Sequence, residues 1–112
     1  DGDLTDLEWG QANGTDYFLE IEPGENTTPA EKTEVKVAYD DKNLYVAFWA
    51  FADPEDIRAS YQNRDRAWMD DFVAIFLDTY GDANAGTMIG SNPYGIQMDA
   101  LNNGSGNEDP SF

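Results

Sequence analysis

Residues 44–53 read LYVAFWAFAD, and in an extended chain successive side chains point to opposite faces. Leu44, Val46, Phe48 and Ala50 then share one face, and Tyr45, Ala47, Trp49 and Phe51 the other. Neither face is polar. An antiparallel strand with one wet face alternates apolar with polar residues, so this strand must be covered on both sides: by a second layer, a partner chain or a ligand. Residues 70–80, DDFVAIFLDTY, repeat the feature, with Phe72, Ala74 and Phe76 on one face and Val73, Ile75 and Leu77 on the other. Two such strands imply the interior of a sheet.

Most of the remaining segments have period 2, and no useful length carries a convincing helical period. TDYFLEIEPG (15–24) reads as a weak strand closed by Pro23-Gly24, and residues 32–53 as a strong hairpin turning at Asp40-Asp41-Lys42-Asn43. DPEDI supplies Asp53 as a cap and Pro54 at the first helical position, enough for one short turn. Residues 81–86 read as a loop, 87–100 as a hairpin turning at Asn92-Pro93-Tyr94-Gly95, and LNNGSGNEDPSF as polar loop. About six short strands separated by turn signals predict an all-β antiparallel β-sandwich, in a single domain across residues 1–112. Immunoglobulin-like and jelly-roll-like arrangements both satisfy this pattern, although the Cys and central Trp spacing of a true immunoglobulin domain is absent.

The formal charge is −17, and all six basic residues fall between Lys32 and Arg66. Both flanks are purely acidic, which argues against nucleic acid and anionic lipid as partners, because neither flank offers a cation to phosphate. The acidity suits a secreted or salt-adapted surface, or one that takes up Ca²⁺. There is no cysteine and no histidine, so disulfides, thiolate catalysis, imidazole acid–base chemistry and Ser-His-Asp triads are excluded together. No apolar run approaches the roughly 18 residues of a membrane-spanning helix, and the start at Asp1 without a signal peptide is expected of a mature or trimmed chain.

DGDLTDLEW (1–9), TEVKVAYDDKNLYVAF (33–48), Asp53-Pro54, Arg64-Asp65, DDFVAIFLDT (70–79) and NPYGIQMDA (92–100) follow one another in a recognisable order. In that order the chain resembles the family 9 carbohydrate-binding modules and the wider family-9-like domains at the N-termini of bacterial surface and outer-membrane proteins. The resemblance implies a non-catalytic β-sandwich whose role is carbohydrate recognition, placed in a secreted or cell-surface protein of the periplasm or outer membrane. It also implies that the sandwich is incomplete at its C-terminus, since the family adds strands beyond a segment like NEDPSF.

Sugar-binding modules stack flat aromatic rings on the apolar face of a pyranose and offer polar side chains to its hydroxyls. The candidate rings are Trp68, Trp49 and Tyr45, with Arg64, Asp65 and Asp70 as polar partners. Trp68 stands among charged loop residues, where a ring either plugs the core or meets a ligand, and sugar stacking is assigned to it. Trp49 shares a face with Tyr45 and Phe51 and is expected to be covered by protein. Trp9 matches a family position near the sheet edge, where it packs. Calcium has candidate oxygen ligands at Asp78, Asp82 and Asn84 and at Asn107, Glu108 and Asp109; neither set has EF-hand spacing, and the family's association with calcium supports them. Asn13, Asn26 and Asn103 open sequons. A glycosidase pair can be drawn from Asp65, Asp70 and Asp71, but with 23 acidic residues in 112 a close pair is expected by chance. Two readings therefore stand: a module that binds glycan or polysaccharide, and a structural subunit of a surface assembly or filament whose second apolar sheet face is covered by a protein partner or another copy.

Overall fold

The computed structural model describes residues 3–20, 24–102 and 108–109. The chain divides into two compact units, Asp1–Glu55 and Asp56–Phe112. Each contains one antiparallel sheet, and together they make the protein all-β, with the two sheets that a β-sandwich requires.

The first unit opens with a short 3₁₀ turn, Leu7–Gly10, followed by β1 (Asn13–Thr15), β2 (Thr33–Tyr39) and β3 (Leu44–Ala50), in the order β1-β2-β3. The expected hairpin forms, in a register running from Thr33↔Ala50 to Tyr39↔Leu44. Asp40 closes its turn: Oδ1 accepts the backbone N–H groups of Lys42 at 2.8 Å and Asn43 at 2.7 Å, and Oδ2 accepts the Tyr45 hydroxyl at 2.9 Å. The Lys42 N–H first, then Tyr45 and the Asn43 N–H, hold the Asp40 carboxyl below the usual carboxylate value. The same carboxylate, with some desolvation, raises the Tyr45 phenol.

This register sets Glu34, Lys36 and Ala38 beside Trp49, Ala47 and Tyr45. Trp9, carried by the 3₁₀ turn, meets the Trp49 ring edge-on at 6.1 Å and 87°. Lys36 Nζ donates to the Trp9 carbonyl at 3.0 Å and lies 5.6 Å from the Trp49 ring centroid. That face of β3 is dry around Ala47, which is 3% exposed, while Tyr45 and Phe51 remain 44% and 50% exposed. The 3₁₀ turn and a lysine stem thus cover part of the face and leave its ends open.

The second unit holds β4 (Val73–Leu77), β5 (Gly86–Ser91), β6 (Gln97–Asn102) and β7 (Glu108–Asp109), in the order β4-β5-β6-β7. Pairing places Phe76, Met88 and Ala100 in one row and Ala74, Gly90 and Met98 in the next, on one face. Met88, Gly90, Met98 and Ala100 on that face are buried. The opposite face carries Ile75, Ile89 and Asp99 in register, apolar on β4 and increasingly polar toward β6.

The sequence expectations fail in three places. Over the described part of the strand expected at 15–24, residues 15–20 and 24, no strand continues: β1 ends at Thr15, whose Oγ1 accepts the Tyr17 N–H at 3.0 Å, and an isolated bridge, Glu20↔Thr27, follows. A hydroxyl that captures a backbone donor two residues on diverts the chain from the ladder whatever its apolar period. The tail expected to be loop extends β6 to Asn102 and contributes β7, because backbone pairing needs no apolar side chains. The 3₁₀ turn at Leu7–Gly10 had no period by which to be read. Asp53 behaves as expected, its Oδ1 accepting the Glu55 N–H at 3.1 Å in a turn that goes no further.

Candidate functional site

Residues 58–71 form a long loop of the second unit, tied at two places to the β5–β6 hairpin. The first tie is built on Asp70, which accepts the Ser60 N–H at 2.9 Å, the Ser60 hydroxyl, and Asn92 Nδ2 at 3.1 Å. Asn92 is 5% exposed and uses its whole amide: Nδ2 also donates to the Ser60 carbonyl at 3.1 Å, and Oδ1 accepts the N–H groups of Tyr94 at 3.0 Å and Ile96 at 2.9 Å. Desolvation pushes the Asp70 carboxyl up; the hydrogen bonds from Asn92 and Ser60, with the charge of Arg58, outweigh it and leave the group below its ordinary value.

The second tie is Asp65, which extends the edge of β6. Its N–H donates to the Gln97 carbonyl at 3.1 Å and its Oδ1 accepts the Asp99 N–H at 2.9 Å. One residue thereby satisfies a donor and an acceptor that a further strand would take, at a left-handed φ of 62° that Asp tolerates better than most residues. Arg64 Nε donates to Asp99 Oδ1 at 3.1 Å, and that hydrogen bond and charge raise the guanidinium pKa further.

Between these ties the loop presents Tyr61, and the hairpin turn presents Tyr94. Their rings stack, with centroids 4.1 Å apart and planes 18° from parallel. Tyr94 stands at the tip because Asn92 and Gly95 close the turn: the Gly95 N–H donates to the Asn92 carbonyl at 2.9 Å with φ at 76°, a conformation open to glycine. Tyr61 is 80% and Tyr94 50% exposed. Beside them is an open recess of about 630 Å³ lined by Tyr61, Gln62, Asn63 and Arg66. Such a recess offers a flat ring, two amides that both donate and accept, and a fixed cation.

The residues expected to bind sugar are distributed differently. Arg64, Asp65 and Asp70 come together in this loop, where Asp65 and Asp70 accept hydrogen bonds from the chain and Arg64, its side chain 60% exposed, bonds to Asp99. Trp68 is half-buried and meets Phe72 edge-on at 5.3 Å, next to the fully buried Ala67. Tyr45 and Trp49 belong to the first unit, where Trp49 supports Trp9 and Tyr45 bonds to Asp40. Tyr61 and Tyr94 were missed; the signal for them was a tyrosine followed by two amides in YQNR and a tyrosine at the tip of an Asn-Pro-Tyr-Gly turn.

At the candidate calcium loop, Asp78 accepts the N–H groups of Gly81 at 2.7 Å and Ala83 at 2.9 Å and a longer one from Asp82, which together hold its carboxyl below the ordinary value against desolvation; the Ala83 bond counts most. Asp82 Oδ1 accepts the Asn84 N–H at 2.9 Å. Among the described residues no three acidic side chains converge. Asn107 and Asn103 lie outside the described residues, as do the side chains of Glu108 and Asp109. Asn13 is exposed on β1, and Asn26 is exposed in a turn at a φ of 54°. Among the described residues no helix is long and apolar enough to cross a membrane.

No curated protein and no solved structure matches the chain. Residues 1–109 match the model of the family described as carbohydrate family 9 binding domain-like. With two antiparallel sheets and a family match spanning nearly its whole length, the chain belongs to the carbohydrate family 9 binding domain-like family.

Proposed function

We propose that the protein is a non-catalytic carbohydrate-binding module of an extracellular or cell-surface protein, and that the recess beside Tyr61 and Tyr94 takes a neutral sugar. The observation that carries this reading is the stacked, exposed tyrosine pair bordered by Gln62, Asn63 and Arg66. A tyrosine face matches the C–H face of a pyranose, the amides answer hydroxyls in either direction, and Arg66 supplies strong donors. The recess is held by hydrogen bonds internal to the loop and hairpin, so sugar binding does not first have to order it. In this reading Asp65 and Asp70 are positioning residues, and hydrolysis is not among the chain's activities.

The test is calorimetric or NMR titration of the full chain with a panel of neutral oligosaccharides. Tyr61→Ala is expected to weaken the best of them about tenfold or more while leaving unfolding stability within about 0.5 kcal/mol, as for an exposed side chain. Binding that is unchanged in Tyr61→Ala and lost in Trp68→Ala would move the sugar to Trp68.

A further inference from the structure

The first unit carries a second recess of different chemistry, about 330 Å³ in volume and lined by Asp6, Glu8, Trp9, Ala38, Tyr39 and Tyr45. That size is at the low end of the roughly 300–1,000 Å³ of small-molecule sites and suits one sugar ring better than an extended chain. Its rings are positioned without being used up. Trp9 is fixed by its edge contact with Trp49 and by Lys36 on its carbonyl, and Tyr45 by its hydroxyl bond to Asp40. Tyr39, 82% exposed, adds a third ring to the lining.

Among the described residues the two carboxylates of the lining are unengaged. Asp6 stands at the N-cap position of the 3₁₀ turn, but its side chain makes no cap bond; the hydrogen bonds of Asp6 and Glu8 are made by their backbone carbonyls, to the N–H groups of Trp9 and Gln11. No basic residue lines the recess. Elsewhere on the same sheet the chain supplies its own cations to aromatic rings, Lys36 over Trp49 and Lys32 over Phe51, each 5.6 Å from the centroid. The Lys36 ammonium is taken up by the Trp9 carbonyl and the Trp49 ring, and the lining of the recess itself carries rings and two carboxylates.

We propose that this recess binds a saccharide bearing a free, protonated amine. The ring faces take the apolar face of the sugar, and the ammonium is attracted both to the ring quadrupoles and to Asp6 and Glu8. A neutral sugar would use only the rings, and an acidic sugar would be repelled by both carboxylates. This assignment rests on the carbohydrate-binding reading of the family and names the substrate class of a second site, separate from the Tyr61 recess.

The experiment is an NMR titration of the full chain, following the Trp9 indole N–H, with a glucosamine trisaccharide, its N-acetylated counterpart and tetramethylammonium. The glucosamine trisaccharide is expected to shift the Trp9 signal and to bind about tenfold or more tighter than the other two. The Asp6→Asn, Glu8→Gln double variant is expected to abolish the preference, Tyr39→Ala to weaken binding, and Tyr61→Ala to leave it unchanged. Equal binding of the free and acetylated trisaccharides, or a preference that survives in the double variant, would overturn the proposal. Tetramethylammonium binding as tightly as the trisaccharide would also overturn it, since the recess would then recognise the cation alone. Neutral glycans that still bind in a Tyr61-dependent way, with no amine preference anywhere, would remove this second site and leave the first intact.

Discussion

Asp70 and Asn92 hold the loop bearing Tyr61 by bonds that the protonated carboxyl makes less well. Because the folded pKa of Asp70 lies below its ordinary value of 3.8, its contribution to stability is complete above about that pH and is lost as pH falls through the folded value. The loop around Tyr61 is therefore expected to loosen on acidification below about pH 4, read as loss of slow amide exchange at Ser60, with the step flattened in Asp70→Asn. Asn92→Ala removes both donors and both acceptor bonds of a buried amide and is expected to cost about 2 to 4 kcal/mol in denaturant titration. Trp49, half-buried under Trp9 and Lys36, is a support: Trp49→Ala should cost about 3 kcal/mol, at the low end for a large-to-small change, and leave sugar binding at Tyr61 unaltered.

At the scale of elements, the β4–β5 pair is closed around Gly90. A Cβ built there would stand 2.9 Å from the Val73 carbonyl oxygen and 3.3 Å from the Ala74 Cβ, so the partner strand has to move. Gly90→Ala is expected to destabilise by about 1 to 3 kcal/mol, whereas Gly10→Ala, with nothing within 4 Å of the added carbon, should be near neutral; chemical denaturation of the two side by side checks this. The β2–β3 hairpin was legible because its apolar alternation and its Asp-Asp-Lys-Asn turn agree. In the expected strand at 15–24, the described residues 16–20 misled: their alternation is real, but the ladder ends at Thr15, whose hydroxyl takes the Tyr17 N–H.

For the molecule as a whole, the excess of 17 negative charges makes stability depend on ionic strength, so added monovalent salt should raise the melting temperature. Calcium is a separate proposal. The loop of Asp78, Asp82 and Asn84 is already folded around backbone N–H groups, and an ion would have to use the remaining lone pairs of the same oxygens. At matched ionic strength, Ca²⁺ well above its Kd should raise the melting temperature beyond the monovalent-salt value; identical curves in calcium and in chelator would remove the site.

The alternation of LYVAFWAFAD and DDFVAIFLDTY, the turn residues and the missing helical period were sufficient for an all-β chain with two hairpins, because strand period and turn chemistry are local properties. The ordered motifs were likewise sufficient for the family. The roles of Arg64, Asp65 and Asp70 were not readable: a carboxylate has the same residue letter whether its oxygens face solvent, a sugar or the N–H of a residue more than twenty positions away. Tyr61 and Tyr94 lie far apart in sequence and become one platform only when Asp70, Ser60 and Asn92 draw loop and hairpin together. That juxtaposition is a product of long-range hydrogen bonding, so it was decided by the tertiary structure alone.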